Sequence, residues 1–149
     1  GIHDRIIGYR REFGKDDPIT IRNEGPIRHL CDTLADRMHK YTKDNAKNVL
    51  YVATETFYYI ACQHPFTDGN KSTAYVTALL VLHANIIAYA QTGILKKELK
   101  FEIHYDKREL LSAPKEAEEI SKLAETGKDE TELKKLIKEF LQKEIGRWL

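Results

Sequence analysis

The apolar stretch from Val76 to Ala90 constrains the fold more than any other segment of this sequence. It is shorter than the roughly 20 residues that a membrane-spanning helix needs, and His83 and Asn85 interrupt it. Its apolar side chains fall on nearly all sides of a helix, which is typical of a helix that is buried all round. We therefore expect this segment to form the centre of a helical bundle.

The rest of the chain shows helical periodicity over most of its length. The segments with this pattern are 2–13, 25–38, 49–63, 114–125 and 133–145. Two shorter segments favour extended structure, because residues 19–21 are β-branched and residues 99–105 alternate between apolar and polar. These patterns predict a mostly helical protein.

Length and charge limit the class of protein further. The 149 residues make one ordinary domain, and a chain of this size buries roughly 68–70% of its unfolded surface. The 24 Lys and Arg residues balance 23 Asp and Glu residues and leave a net charge of +1. A general nucleic-acid or membrane-surface binder would carry a clear basic excess. We expect a single domain over residues 1–149 that binds neither nucleic acid nor a membrane.

The cysteines and the first residues predict a cytoplasmic location. Cys31 and Cys62 lack the spacing of a zinc site, and two cysteines do not make a disulfide scaffold. Residues 1–5 are mostly polar or charged, unlike the start of a secretory signal. We expect two buried, reduced thiols in a cytoplasmic protein.

One polar turn carries residues that are typical of catalysis. It runs over residues 64–73 and joins two apolar helices. The second of these helices begins near Asn70, so its first N–H groups form an anion-binding site. Lys71 adds a positive charge, Asp68 can hold a hard cation such as Mg²⁺, and His64 can take a proton from a hydroxyl. The combination predicts transfer of a group from a nucleotide to a hydroxyl.

The same residue types also occur in turns that have no catalytic role. The tripeptide Asp68-Gly69-Asn70 is common at turns and helix starts, and a single histidine is more often structural than catalytic. A Walker A loop is excluded because Pro65 and Asn70 stand where it needs glycine. The residues alone leave a structural turn and a nucleotide site both open.

The turn resembles the signature of the Fic/Doc family, HxFx(D/E)GN(G/K)R. Six positions match in order: His64, Phe66, Asp68, Gly69, Asn70 and Lys71. Residues 2–4 and 21–25 are similar to the start of death-on-curing (Doc) proteins, and residues 123–149 are similar to their closing helices. The resemblance covers most of the chain and is closest to the Doc toxins.

The resemblance implies an all-α Fic/Doc helical bundle with a short β flap that docks target proteins. The flap would lie at about residues 15–25, the motif loop at 64–73 and the C-terminal helices at about 114–149. The implied co-substrate is ATP, and the implied cofactor is Mg²⁺.

The resemblance also implies a role for each residue of the loop. His64 would deprotonate the target hydroxyl, Asp68 would bind Mg²⁺, and Phe66 would anchor the loop in the core. Asn70 would join these catalytic residues as part of an anion hole. The implied phosphate-binding residues are Gly69, Asn70, Lys71 and Ser72.

Two transfer chemistries occur in the family that the chain resembles. Most Fic enzymes move AMP onto a hydroxyl, whereas Doc transfers the γ-phosphate of ATP and acts as a kinase on translation elongation factor Tu. Lys71 replaces the second glycine of the Fic form, and Tyr75 stands at the second arginine of the longer Fic motif. Both features favour a Doc-like toxin that phosphorylates a Thr or Ser of a protein. AMP transfer (AMPylation) is the alternative.

The sequence departs from the motif at Ser72, where the family has arginine. An arginine binds phosphate oxygens through two parallel hydrogen bonds, and a hydroxyl cannot. Loss of one such transition-state donor costs about 10²–10³ in rate. A catalytically attenuated binding module with the Fic fold is therefore a further alternative. The resemblance also implies a protein substrate and a small antitoxin as partners.

Overall fold

The computed structural model describes residues 21–38, 45–91 and 113–148, and these ranges are mostly helical. In chain order they form α1 (Gly25–Met38), α2 (Asn45–Phe57), a π-helical segment (Tyr58–Cys62), α3 (Asn70–Gln91), α4 (Lys115–Glu125) and α5 (Glu130–Trp148). The predicted all-α class is confirmed. The extended pairing among these residues is one antiparallel bridge between Ile21 and Phe66. The predictions for residues 2–13 and 99–105, and for most of the flap, lie outside the described residues.

The core lies where α2 and α3 pack against each other and against α5. Phe57 in α2 and Leu141 in α5 are fully buried, and the ring of Phe57 meets the ring of Phe140 edge-on at 5.8 Å. Truncation of such a phenylalanine to alanine costs about 3–5 kcal/mol of stability. None of the described helices is both long and apolar enough to cross a membrane.

The helix predicted to be buried at the centre of the bundle is mostly buried where its side chains are described, up to residue 82. Leu80 of α3 is the exception, because it is 37% exposed. An equally enclosed stretch covers the end of α2 and the next residue, where residues 53–58 are buried without interruption. Helix α2 is enclosed because α1, α3 and α5 all contact it.

A short turn fixes the relation of α4 to α5. Gly127 adopts φ 82°, a left-handed conformation that favours glycine. Its N–H donates to the carbonyl of Ala124, and the N–H of Lys128 donates to the carbonyl of Leu123. These two bonds end α4 at Glu125 and return the chain into α5, so the last turn of α4 has a defined position.

A cluster of charged and aromatic side chains stabilises the contact between α2 and α5. Lys134 Nζ lies 2.9 Å from Oε1 of the buried Glu55 and 2.8 Å from Glu130 Oε1. It also lies 4.9 Å from the ring centre of Tyr58 and 5.6 Å from that of Tyr59. Burial by itself lowers the pKa of Lys134, but the hydrogen bonds and charges of Glu130 and Glu55 raise it above its usual value. We call these five residues the Lys134 cluster.

Candidate functional site

The loop before α3 has an unusual backbone at two positions. Gly69 adopts φ 75°, which glycine tolerates, but His64 adopts φ 47°, which costs a residue with a side chain about 1–3 kcal/mol. The π-helical segment ends at Cys62, two residues before His64. Strained residues and π-helical turns both occur often at functional sites. The backbone alone therefore marks this loop as a candidate.

The side chain of Asn70 holds the loop in shape. Its Oδ1 accepts the N–H of Phe66 at 2.9 Å, and its Nδ2 donates to the carbonyl of Phe66 at 2.8 Å. Asn70 is 7% exposed, and Phe66 packs against the hydrophobic core. Two bonds to one residue close the loop from His64 to the start of α3. Asn70 thus positions the loop, which is a use of its amide that the sequence did not predict.

The segment before α1 supports the loop from outside. The N–H groups of Arg22 and Asn23 both donate to the carbonyl of Pro65, at 2.7 and 3.0 Å. Ile21 pairs with Phe66 and remains 55% exposed. The predicted flap therefore touches the motif loop at its last residues, and α1 begins at Gly25, within the range predicted for the flap.

The start of α3 gives the loop its anion-binding character. The first helical hydrogen bond joins the N–H of Thr73 to the carbonyl of Gly69 at 2.9 Å. The preceding N–H groups, of residues 70–72, have no acceptor within the helix, and the helix dipole adds partial positive charge there. The carboxylate of Asp68 accepts the N–H of Gly69 at 2.6 Å, which places a negative charge at the same point.

These residues line a cavity of about 410 Å³, which we call the motif cavity. Its lining is His64, Thr67, Asp68, Gly69, Asn70, Lys71, Ser72, Ala113, Glu118 and Glu125. The structure thus brings all the predicted catalytic and phosphate-binding residues to one cavity, while Phe66 lies behind it against the core. The volume lies within the usual range of small-molecule sites, about 300–1,000 Å³.

Two acidic residues of α4 complete the cavity, and sequence reasoning missed both. Lys71 Nζ lies 3.8 Å from Glu118 Oε1, and His64 Nε2 lies 3.5 Å from Glu125 Oε1. Glu118 and Glu125 are seven residues apart, so they share one face of α4. That spacing was visible in the sequence, but nothing local shows that this face packs against a loop some 50–60 positions earlier.

Among the residues that the structure describes, few basic side chains line the cavity. Its basic groups, among the described lining residues, are Lys71 and the titratable His64. Ser72 is 8% exposed and contributes a hydroxyl where the motif arginine would stand. Tyr75 is directed to α5 instead: its hydroxyl donates to Glu144 Oε2 at 2.7 Å. A polyphosphate would therefore depend on the α3 N-terminus, on Lys71 and on a bound cation.

The donor set suits Mg²⁺ better than a transition metal. No group of three or more His, Cys, Asp or Glu side chains that could hold a metal occurs within 21–38, 45–91 and 113–148. Mg²⁺ in nucleotide sites needs only one or two carboxylates because phosphates and water complete its shell. Asp68 provides such a carboxylate next to the N-terminus of α3.

A cysteine nucleophile near the loop is excluded. Cys62 lies two residues before His64, and burial raises its pKa to about 12. Its thiolate, which is the reactive form, is therefore scarce at neutral pH. Cys31 is an exposed free thiol in α1, so the prediction that both thiols are buried is wrong. The reactive groups that remain at the cavity are those of the loop and α4.

The structure places a histidine, an acidic residue and a helix N-terminus on one loop of a helical bundle. The family model described as "Fic/DOC family" matches residues 1–82, which is more than half of the chain. The chain belongs to this family, whose members are typically protein-modifying transferases that use ATP with Mg²⁺. The match includes the motif loop, whereas α4 and α5 lie beyond it. No curated protein and no solved structure matches the chain.

Proposed function

We propose that the protein is a Doc-like phosphotransferase that moves the γ-phosphate of Mg–ATP to a Thr or Ser hydroxyl of a protein, with elongation factor Tu as the first candidate target. The observation that carries this proposal is the motif cavity, where His64, Asp68, Lys71 and the start of α3 face one space. It combines a base with groups that bind phosphate.

The loop residues have separate parts in this reaction. The target hydroxyl oxygen forms a bond to the γ-phosphorus, the bond to the β,γ-bridging oxygen breaks, ADP leaves, and His64 takes the hydroxyl proton. The N–H groups at the start of α3 and the ammonium of Lys71 stabilise negative charge on the phosphoryl oxygens. Asp68 would hold Mg²⁺, and the bound cation would supply positive charge beside the phosphates of ATP.

Two features support transfer of the γ-phosphate over transfer of AMP. Lys71 stands where the AMP-transferring form has a glycine, so its side chain takes space next to the α- and β-phosphates. Tyr75 stands where that form has its second arginine, and the hydrogen bond to Glu144 directs Tyr75 to α5. AMP transfer to a protein hydroxyl is the second candidate activity.

The composition of the cavity favours a third candidate, an attenuated binding module. Three carboxylates line the cavity, from Asp68, Glu118 and Glu125, against one lysine. With Ser72 in place of the arginine, a rate lower by about 10²–10³ is expected. A protein of this kind would keep the fold and the binding of its partner with little turnover.

The deciding experiment follows labelled phosphate onto protein. The purified chain is incubated with Mg²⁺, elongation factor Tu or a bacterial lysate, and ATP labelled at the α- or the γ-position. Label on a protein from the γ-position only, lost in His64→Ala, supports the kinase. Label from the α-position indicates AMP transfer, and the absence of His64-dependent label from both positions indicates the attenuated module.

The partners and the location follow from the same proposal. A Doc-like toxin acts on a cytoplasmic translation factor, so we propose a cytoplasmic protein whose activity a small antitoxin restrains. Co-expression with the gene next to it would test this, since an antitoxin should restore growth of cells in which the chain is toxic.

A further inference from the structure

Glu125 is the carboxylate that faces the ring of His64 among the described residues. Its Oε1 lies 3.5 Å from His64 Nε2, and this nitrogen is buried without a well-aligned hydrogen bond. The His64 side chain is nevertheless 27% exposed, and it lines the motif cavity. The other ring nitrogen, Nδ1, is the one that Glu125 does not face.

We propose that Glu125 is a positioning residue for His64. A carboxylate only accepts hydrogen bonds, so Glu125 favours the tautomer with the proton on Nε2 and leaves the lone pair on Nδ1. Nδ1 is then the atom that takes the proton of the substrate hydroxyl. This inference rests on the proposed role of His64 as the base.

The distance of 3.5 Å fits a contact that tightens when the substrate binds. Hydrogen bonds between catalytic groups are often long or poorly aligned in ligand-free structures and shorten in the reacting complex. Glu125 is 58% exposed, so its side chain has room for this adjustment.

The fold holds the two partners on connected elements. Ser121 of α4 is fully buried, and its Oγ donates to the carbonyl of Ala61 in the π-helical segment at 3.1 Å. Ala61 lies three residues before His64, and Ser121 lies one helical turn before Glu125. The bond therefore sets the distance between the end of α4 and the start of the loop.

Glu118 provides a contrast within the same helix. It lies two turns earlier on the same face, and its carboxylate pairs with Lys71 at 3.8 Å and with Lys122 at 3.6 Å. Glu118 thus faces a phosphate-binding cation, whereas Glu125 faces the base. Removal of Glu118 should change nucleotide binding, and removal of Glu125 should change the chemical step.

The ring N–H of His64 gives a direct test. A ¹⁵N-edited NMR spectrum of the wild-type chain should show a slowly exchanging ring proton on Nε2, assigned by its loss in His64→Ala. Glu125→Ala should remove this signal, and Glu118→Ala and Glu119→Ala, which delete the same charge from α4, should retain it. A proton on Nδ1 in the wild type, or a signal that persists in Glu125→Ala, would overturn the inference.

Transfer kinetics give the second test. Glu125→Ala should lower kcat by roughly ten- to a hundredfold, less than the full contribution of a general base, while KM for ATP stays the same. Glu118→Ala should change KM. A kcat that rises in Glu125→Ala would show that the carboxylate blocks the base, which contradicts positioning. If the wild type transfers nothing, the proposed function fails, and the NMR result alone decides the inference.

Discussion

Two groups of opposite charges in this protein differ in how closely they pair. In the Lys134 cluster the ammonium lies 2.8 and 2.9 Å from two carboxylate oxygens. In the motif cavity the pairs are longer, with Lys71 at 3.8 Å from Glu118 and His64 at 3.5 Å from Glu125. The first group is satisfied within the protein, whereas the second keeps charges that a ligand can still bind.

The two groups also differ in how far their carboxylates are buried. Glu55 in the Lys134 cluster is 3% exposed and has two hydrogen-bonding distances to one lysine, so its charge depends on that lysine. The carboxylates of Glu118 and Glu125 are about half exposed, so solvent can reach them. Loss of a partner should therefore reduce stability in the cluster and change activity in the cavity.

The largest effect is expected at His64. His64→Ala removes the proposed base and should lower phosphate transfer by about 10²–10⁴, with little change in the free energy of unfolding because the ring is partly exposed. Label transfer and urea unfolding measure the two quantities. Asn70→Ala is a useful contrast, since it should reduce both. Equal losses of unfolding free energy in His64→Ala and Asn70→Ala would contradict the statement that His64 contributes to activity and not to stability.

The next effect is expected at Lys134. Lys134→Met keeps the aliphatic stem but leaves Glu55 buried without its partner, which should cost about 3–5 kcal/mol of unfolding free energy. Lys71→Met is the matched control and should cost less than about 1 kcal/mol, as for an exposed ion pair. Urea denaturation of both variants gives the comparison. Similar losses would show that the pairing distances do not distinguish the two groups.

A gain is expected at Ser72. Ser72→Arg places a guanidinium at the motif position and should raise transfer by roughly ten- to a hundredfold, as part of the 10²–10³ that one such donor supplies. Ser72→Met, of similar length and without charge, should give no gain. Initial rates of label transfer measure the effect. If Ser72→Arg and Ser72→Met lose activity equally, the lack of space at position 72, and not the missing charge, determines the rate.

The smallest effect is expected at Tyr75. Tyr75→Phe removes the hydrogen bond to Glu144 and should cost about 1.5 kcal/mol of stability, the lower end for bonds to a charged group. Transfer should not change, because Tyr75 is directed to α5 and not into the cavity. Thermal unfolding and label transfer of this variant test the statement. A loss of activity without a loss of stability would place Tyr75 in the site.

The helices were predictable because periodicity depends on local sequence. Helix α1 begins at Gly25 because a Gly-Pro pair stands there, and α3 begins at Asn70 because Asp-Gly-Asn is a common helix start. Both signals act within a few residues. The same local rules do not show the π-helical turn at Tyr58–Cys62, since its residues are all apolar or aromatic and therefore show no readable period.

The site was predictable only where its residues are neighbours in sequence. Residues 64–72 carry a motif, but the contributions of Glu118 and Glu125 depend on how α4 packs, which no local pattern encodes. The two hydrogen bonds from the Asn70 side chain to the Phe66 backbone could not be predicted either. An asparagine at this position is equally compatible with a turn, a helix cap or a ligand contact.

Binding of Mg–ATP to the motif cavity tests the central claim most directly. Isothermal titration of the wild-type chain should show one site per chain, with weaker binding in Lys71→Met and unchanged binding in Lys134→Met at a temperature where both variants are folded. The need for Mg²⁺ is checked by repeating the titration with EDTA. No binding at millimolar Mg–ATP, or equal binding in all three proteins, would show that the cavity is not a nucleotide site.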